Sequence, residues 1–184
     1  LNRTFDPEHP AKGAEELIDA VIELRLRRDE EEIAEMRWAL EVTAKAHRQA
    51  MEATHPGVTE NEIQALIEAV FAAHGMTSAY PPIVTIEGEV LHGHAAGREL
   101  KKGQLLLVDA GAEAPSGYAS DVTRTWPVSG KFEIRQKQFY EAVLQCQKKA
   151  LRLCKPGTMF EDVHQAAGRS LIEFLFSHRD FSSF

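Results

Sequence analysis

Two aspartates interrupt a pair of β-prone runs in the middle of the chain, and their charges constrain its fold strongly. Residues 105 to 127 read LLLVDAGAEAPSGYASDVTRTWP, which predicts two strands joined by a Pro-Ser-Gly turn. A three-residue loop centred on Pro115 predicts that Asp109 and Asp121 lie directly opposite each other. Directly opposed residues of an antiparallel pair have β-carbons ~4.5–5.5 Å apart. The hairpin is therefore expected to hold two negative charges face to face.

The apolar neighbours of these aspartates leave little water to screen the two charges, so a compensating positive group is expected. Three arrangements supply one: a proton shared by the carboxyl groups, an arginine, or one or two divalent metal ions. Arg124 follows Asp121 by three positions and is expected to point to the opposite face of the strand. The alternative is that both aspartates are solvated residues on an edge hairpin.

Hydrophobic periodicity predicts helices on both sides of the strand region, and hence an α+β fold. Thr59 and Glu62 have the spacing of a capping box, which predicts a helix start at this point. Antiparallel strands are expected within residues 81–95, 103–113 and 117–128. The helices are expected over 14–28 as a short amphipathic segment, then over 29–54, 59–74, 134–153 and 160–175.

The spacing of apolar residues also predicts which helix faces are buried. In the helix over 29–54 the expected buried residues are Ile33, Met36, Leu40, Ala44, His47 and Met51. In the next helix they are Ile63, Leu66, Ile67, Val70 and Phe71. In the helix over 134–153 they are Phe139, Val143, Cys146, Ala150 and Leu151.

The two helix pairs share a sequence pattern at an offset of 100 residues. HPGVTENEI at 55–63 and KPGTMFEDV at 155–163 both contain Pro-Gly, a threonine near the helix start, and an acidic residue before a β-branched one. The helices before these turns keep their apolar faces in phase at the same offset. The pattern indicates internal duplication. It predicts that a second strand layer begins near residue 180.

Composition disfavours several classes of partner. The formal net charge of −7 provides no attraction toward phosphate backbones or anionic lipids, so neither nucleic acid nor a membrane is expected. No apolar run approaches the ~20 residues of a membrane-spanning helix. Cys146 and Cys154 lie too far apart on one predicted helix to form a disulfide, and we expect reduced thiols and a cytoplasmic protein.

The block Asp-x-Gly-x-Glu, followed by Gly-Tyr-x-x-Asp-x-Thr-Arg-Thr-aromatic-Pro, resembles the Xaa-Pro aminopeptidases. These enzymes belong to the pita-bread metallopeptidases, together with prolidase and methionine aminopeptidase. The resemblance extends from about residue 26 to 175 and includes the Leu-His pair in PPIVTIEGEVLHGHA. It implies a pita-bread fold in which helix pairs flank an antiparallel sheet. The domain expectation is a leader or linker over 1–28, a partial catalytic domain over 29–176 and an atypical tail over 177–184.

The resemblance also implies roles for three residues, and strand alternation suggests roles for two more. Asp109 would bind one divalent metal ion and Asp121 would bridge it to a second, most often manganese, with cobalt or zinc as alternatives. Two such cations activate water for attack on a peptide carbonyl. His92 would stabilise the tetrahedral intermediate, with a structural strand histidine as the alternative. Thr123 and Thr125 alternate on the face of Asp121, which predicts that their hydroxyls donate to the carboxylates; the alternative is that threonine simply favours strands. The implied substrate is a peptide with proline in second position, and the implied assembly is a homo-oligomer.

The resemblance covers roughly the first two-thirds of the family's catalytic domain. The family uses five metal ligands, and the last three, one histidine and two glutamates, come from the second half of the sheet. His164 and His178 do not lie in the strand context of that histidine. We therefore expect the site to be incomplete within this chain, and the alternative function is that of a non-catalytic fragment or protein-interaction module of the same fold.

Overall fold

A computed structural model describes residues 14–93 and 95–177 of the 184-residue chain, and it confirms the predicted α+β order. The helices are α1 (Ala14–Leu26), α2 (Glu30–Ala53), α3 (Glu60–Ala73), α4 (Ile134–Leu153) and α5 (Phe160–Ser177). The strands are β1 (Thr77–Ser78), β2 (Ile83–Thr85), β3 (Leu105–Ala110), β4 (Ala112–Glu113) and β5 (Val122–Pro127). Residues 1–13 of the predicted leader and 178–184 of the predicted tail, including His178, lie outside the described residues, as does the second strand layer predicted near residue 180.

Three antiparallel strands form the main sheet in the order β2-β3-β5, and β1 pairs with β4 in a separate ladder. Within residues 81–95, where strand structure is expected, the described residues form the short strand β2, which ends at Thr85. The next backbone amide, that of Ile86, donates a 3.0 Å hydrogen bond to the carboxylate of Glu60 instead of a neighbouring strand. A side chain from α3 therefore ends this strand, and a loop follows it.

The register of the β3–β5 pair differs from the expected one. Asp109 lies opposite Thr123, and the same register sets Asp121 across from Gly111. The hairpin loop is centred on Ser116 and not on Pro115, because Gly117 takes up the left-handed conformation (φ 85°) at the last loop position. The two aspartates are therefore diagonal neighbours on one face of the sheet, and the prediction that they are directly opposed is wrong.

Helix α2 packs on the sheet with a different face from the one expected. The predicted apolar stripe stays exposed, with 37% of Ile33 and 47% of Leu40 accessible to solvent. Small side chains allow the helix backbone to approach the strands closely, so that two polar residues of α2 reach the strand backbone. Of the predicted set only His47 is fully buried, and the buried face is Ala39, Val42, Thr43, Ala46, His47 and Ala50.

Helix α3 forms as its sequence predicts. Thr59 is its N-cap, and the side chains of Thr59 and Glu62 each bind the backbone amide of the other. All but one of the predicted face are fully buried, and Leu66 packs against the same core. The buried residues common to the prediction and the structure are Ile63, Ile67, Val70 and Phe71.

The second helix pair repeats the first in its backbone details. Helices α2 and α4 end at residues 53 and 153, and α3 and α5 begin at residues 60 and 160. Gly57 and Gly157 both have positive φ, at 98° and 87°. The Thr54 hydroxyl and the Cys154 thiol each bond the carbonyl oxygen four residues earlier. These correspondences support the duplication that the sequence indicates.

The second pair differs from the first in its burial. Helix α4 buries Cys146 alone of its predicted face, and α5 buries no residue fully within the described part of the chain. The two helices pack on each other, with the rings of Phe139 and Phe174 edge to face at 5.4 Å. Helix α1 likewise buries no residue fully. In the described ranges, no helix is both long enough and apolar enough to cross a membrane.

The backbones on either side of the hairpin come into close contact at Gly111. A β-carbon at this position would lie 1.7 Å from the carbonyl oxygen of Ser120. Buried hydroxyl groups hold this contact, since the amide of Ala112 donates to Thr43 Oγ1 at 2.9 Å and to Ser120 Oγ at 3.1 Å. The two hydroxyls also bond each other at 2.7 Å. Helix α2 thus fixes the strand backbone between the two aspartates.

His47 lies one helical turn after Thr43 and faces the same strands. Its Nε2 is 3.3 Å from the carbonyl oxygen of Ala110, and its Nδ1 has no hydrogen-bond partner among the described residues. A neutral ring that carries its proton on Nε2 satisfies this geometry. Burial lowers the pKa of His47, although the carbonyl of Ala110 favours the charged form. The folded protein therefore keeps this histidine neutral.

Gly111→Ala is expected to destabilise the fold severely, because the added β-carbon would overlap the Ser120 carbonyl and no side-chain movement relieves that contact. The loss in the free energy of unfolding should exceed roughly 3 kcal/mol. Gly168→Ala in α5 is the matched control, because its β-carbon would meet nothing within 4 Å. It should stabilise the chain by about 0.5–1 kcal/mol. Equal effects in denaturant unfolding would contradict this account of Gly111.

Lower pH is expected to weaken the fold through His47. Below the ordinary histidine pKa of ~6.5 the unfolded chain binds a proton that the folded chain excludes, so the free energy of unfolding falls by up to ~1.4 kcal/mol per pH unit. The fall ends at the lowered pKa of the folded state. His47→Gln retains a donor for the Ala110 carbonyl and removes the titration, so its unfolding free energy should fall less between roughly pH 7 and 5. Identical slopes would disprove this assignment.

Candidate metal centre

Both aspartates lie on the face of the sheet opposite the buried side chains of β3. Burial alternates along β3, where Val108 and Ala110 face the core and Asp109 is half-buried on the other side. Asp121 precedes β5 and is exposed, so the expectation of two poorly hydrated charges is wrong for this residue. The cause is the diagonal register, which places Asp121 beyond the last paired residue of β5.

The hydroxyl of Tyr80 lies between the two carboxylates. It is 2.6 Å from Asp109 Oδ1 and 2.9 Å from Asp121 Oδ1. A tyrosine hydroxyl has one proton, so it can satisfy only one of two ionised acceptors fully. The arrangement brings two anionic oxygens toward one point and supplies a single proton for them. Its donor chemistry therefore fits a hard divalent cation, which prefers carboxylate oxygens.

Tyr80 stays protonated in this environment. Burial raises the pKa of its hydroxyl, and the hydrogen bonds to Asp109 and Asp121 raise it further. The residue therefore acts as a hydrogen-bond donor and not as a third anion. Sequence inspection missed Tyr80, because it lies outside every regular strand and just before two prolines.

The backbone around Tyr80 explains how it reaches the site. In the β1–β4 ladder Thr77 pairs with Glu113 and Ser78 with Ala112. The amide of Ala79 continues this pairing with a 2.9 Å bond to the carbonyl of Gly111. The segment before β2 thus runs along the kinked part of the hairpin. The next residue is placed beside both aspartates.

The two threonines of the predicted site lie on β5, on the same face as the carboxylates. Thr123 is opposite Asp109 and Thr125 is opposite Leu107, so both share the face of the carboxylates. Their role as donors to the carboxylates stays a prediction. Arg124 lies opposite the buried Val108, on the other face, and its guanidinium donates to the Thr123 carbonyl at 2.8 Å. As predicted, it does not compensate the aspartates.

His92 lies in the exposed loop after β2. No hydrogen bond joins it to Asp109 or Asp121 in the described part of the chain. Its φ of 57° is the one positive value at a non-glycine residue among residues 14–93 and 95–177. Left-handed backbone at such a residue costs about 1–2 kcal/mol, and strain of this kind is often kept at functional sites. The catalytic role of His92 stays a prediction.

The tip of the hairpin is anchored to the start of α2. The Ser116 hydroxyl donates to Glu35 at 2.6 Å, and the Tyr118 hydroxyl donates to Glu32. The guanidinium of Arg28 lies over the Tyr118 ring, 5.9 Å from its centroid, and 3.7 Å from Glu32. These contacts limit movement of the strand that leads into Asp121.

An open cavity of about 830 Å³ adjoins Asp121 and Tyr80. The apolar stripe of α2 lines this cavity, and for that reason it is not part of the core. The lining residues from α2 include Ile33, Met36, Arg37 and Leu40. The site is therefore open to solvent on the side of Asp121.

The two aspartates alone do not complete a metal site. No group of three or more histidine, cysteine, aspartate or glutamate side chains with suitable geometry occurs among the residues that the structure describes. His164 lies on α5, where its ring stacks on Phe160 at 6.5 Å. Asp109 and Asp121 can therefore supply part of a donor set.

The chain matches the model of metallopeptidase family M24 over residues 34–182. Xaa-Pro aminopeptidase of Escherichia coli K12 is 41% identical over 160 residues, which are 84% of this chain and 36% of the relative. Xaa-Pro aminopeptidase 3 of Rattus norvegicus is 40% identical over 144 residues, or 77% of this chain and 28% of the relative. The chain thus spans about a third of the length of these relatives.

Solved structures agree in fold. Pseudomonas aeruginosa aminopeptidase PepP superposes with a TM-score of 0.81 at 37% identity, over 84% of this chain and 35% of that one. A variant of Escherichia coli aminopeptidase P, solved in complex with substrate, gives 0.80 at 39% identity, over 84% and 36%. The expected pita-bread fold is confirmed. On its fold, its family match and its relatives, the chain belongs to metallopeptidase family M24.

Proposed function

We propose that this chain supplies part of the catalytic domain of an Xaa-Pro aminopeptidase, a metal-dependent hydrolase that removes the N-terminal residue before proline. The observation that supports this most directly is the convergence of Asp109 and Asp121 on the Tyr80 hydroxyl. The relatives named above as Xaa-Pro aminopeptidases support the choice of substrate. A peptide with proline in second position is thus the proposed ligand.

In this proposal Asp109 and Asp121 are two of five ligands of a pair of divalent metal ions. Such cations lower the pKa of water and stabilise negative charge that develops on a carbonyl oxygen. Manganese is the proposed metal, with cobalt and zinc as alternatives, because carboxylate oxygens suit a hard cation. Tyr80 keeps its proton and holds the two carboxylates toward each other.

Three further residues have proposed roles. His92 donates a hydrogen bond to the substrate carbonyl oxygen as its charge increases. Thr123 and Thr125, which share the face of Asp109, donate to carboxylate oxygens and so fix their orientation. The proposal places the protein in the cytoplasm, which its two free cysteines favour, and as a homo-oligomer.

A second candidate function is that of a non-catalytic interaction module. The exposed apolar residues of α4 and α5 favour it, among them Val143 and Ile172, which are 57% and 52% exposed. The absence of a third metal-ligand candidate beside the aspartates, within the described ranges, favours it too. A hybrid enzyme that contains the missing ligands separates the two functions.

The hybrid consists of residues 34–176 of this chain in place of the matching segment of Escherichia coli Xaa-Pro aminopeptidase. With manganese it should release the first residue of an Xaa-Pro tripeptide, because the partner segment supplies the remaining ligands. Asp109→Asn and Asp121→Asn should each lower kcat/KM at least about a hundredfold, since even outer residues of metal sites cost 10–100-fold. The rate of residue release is the measurement.

Glu113→Gln is the control, because it removes a carboxylate of the same hairpin whose residue pairs with Thr77 and not with the site. It should leave kcat/KM within about threefold, the range of ordinary surface substitutions. A folded hybrid without activity, or equal losses in all three variants, would count against the enzyme and in favour of the interaction module.

A further inference from the structure

The loop that carries His92 closes on one buried side chain. The amide of Ile86 donates to Glu60 Oε1 at 3.0 Å, at the start of the loop. The amides of Ala96 and Arg98 donate to Glu60 Oε2 at 2.9 and 3.3 Å, at its end. One carboxylate thus joins two backbone segments that lie ten to twelve residues apart in sequence.

Glu60 is fully buried, with 0% of its surface accessible. A buried carboxylate is tolerated only when hydrogen bonds and opposite charge replace its hydration. Three backbone amides do so here, and Arg98 Nη1 lies 3.4 Å from both carboxylate oxygens. Among the described residues, the hydrogen bonds of this carboxylate are all with the loop, so the loop conformation and the burial of Glu60 depend on each other.

Arg98, at the end of the loop, also binds a side chain at the start of the loop. Its Nη2 is 2.6 Å from Glu87 Oε2, while its Nη1 faces Glu60. Its carbonyl oxygen accepts from the amide of Glu60 at 3.0 Å. Leu100 and Val58 continue this pairing, with a 2.7 Å bond from the Leu100 amide. The start of α3 therefore holds the returning end of the loop through main chain and side chain together.

The charge state of Glu60 agrees with this geometry. Burial alone would raise the pKa of the carboxyl group, but the amides of Ile86, Ala96 and Arg98 and the Arg98 guanidinium outweigh it, and the pKa is lowered. The carboxylate is therefore ionised at neutral pH. Its hydrogen bonds are of the stronger, charge-assisted kind.

We propose that Glu60 is a positioning residue for His92. By binding both ends of the loop, Glu60 keeps His92 in its left-handed conformation. Strained backbone persists only where the surroundings fix it, and Glu60 supplies that restraint from both ends. The inference rests on the proposed function for the role of His92 in hydrolysis. The closure itself does not, because it concerns backbone contacts of the described residues.

Glu60→Gln tests the closure in the 184-residue chain. A glutamine offers one acceptor oxygen, and its NH₂ group faces amide donors that it cannot bind. Amide hydrogen exchange at Ile86, Val90, Gly93 and Ala96, whose amides donate hydrogen bonds, should accelerate at least about tenfold, while β3 and α2 keep their protection. Glu62→Gln is the matched control, since Glu62 lies on the same helix turn and binds Thr59 alone. It should leave the loop amides unchanged.

Arg98→Met is a second variant that tests the closure even if Glu60→Gln does not fold. Arg98 is 38% exposed at its side chain, so its replacement leaves the core intact. It removes the guanidinium contacts to Glu60 and Glu87 and retains all three backbone donors. Exchange in the loop should accelerate severalfold. Unchanged protection of the loop in this variant, or in a folded Glu60→Gln protein, would overturn the proposal.

The hybrid enzyme tests whether Glu60 acts through His92. Glu60→Gln should lower kcat at least tenfold when His92 is present and have little further effect in a His92→Ala background, because coupled residues are not additive. A merely structural role would lower kcat by the same factor in both backgrounds, and that result would refute positioning. If His92→Ala retains full activity, the role of His92 in the proposed function fails, whereas the exchange data still decide the closure.

Discussion

The close contact of two backbones at Gly111 is the constraint on which the rest of the site depends. Because Gly111 has no side chain, the Ser120 carbonyl can occupy the space of a β-carbon. The contact shapes the hairpin between Asp109 and Asp121. The hydroxyl of Thr43 in α2 stabilises it by accepting a hydrogen bond from the neighbouring amide of Ala112. The carbonyl oxygen of Gly111 itself accepts from the amide of Ala79, the residue before Tyr80. A single small residue therefore permits three groups to converge.

The carboxylates of Glu60 and of the two aspartates have different hydrogen-bonding environments. Glu60, which is fully buried, has three backbone amides and a guanidinium around it. Asp109 and Asp121 share one hydroxyl. The first arrangement is complete in itself and suits a structural role. Among the described residues, the second leaves negative charge without an ion-pair partner on an open face, which is the electrostatic condition for binding a cation.

Much of the fold could be predicted from local signals. Helix bounds were predictable because Pro-Gly turns and the Thr59–Glu62 capping box mark them, and the 100-residue offset of the two helix pairs is visible in both sequence and backbone. The buried face of α2 was not predictable, because alanines give a weak apolar signal. Hydrophobicity alone does not tell whether Ile33 and Leu40 line a core or an open cavity.

The sequence identified the acidic residues of the site but did not predict how they are arranged. Asp109 and Asp121 stand out as charges within β-prone runs, but their register depends on which of Pro115, Ser116 and Gly117 occupies the centre of the loop. Tyr80 has no periodic pattern, and its position follows from strand pairing that is distant in sequence. Glu60 looks like any first-turn acid of a helix, since its burial depends on a loop that returns from the strand region.

The most direct test of the account is a titration of the hybrid enzyme with Mn²⁺, followed by the loss of the free-ion signal in electron paramagnetic resonance. The account predicts saturable binding that Asp109→Asn and Asp121→Asn each weaken at least about tenfold and that Glu113→Gln leaves unchanged. Binding that is equal in all four proteins, or absent in a folded hybrid, would contradict the claim that the two aspartates are part of a cation site.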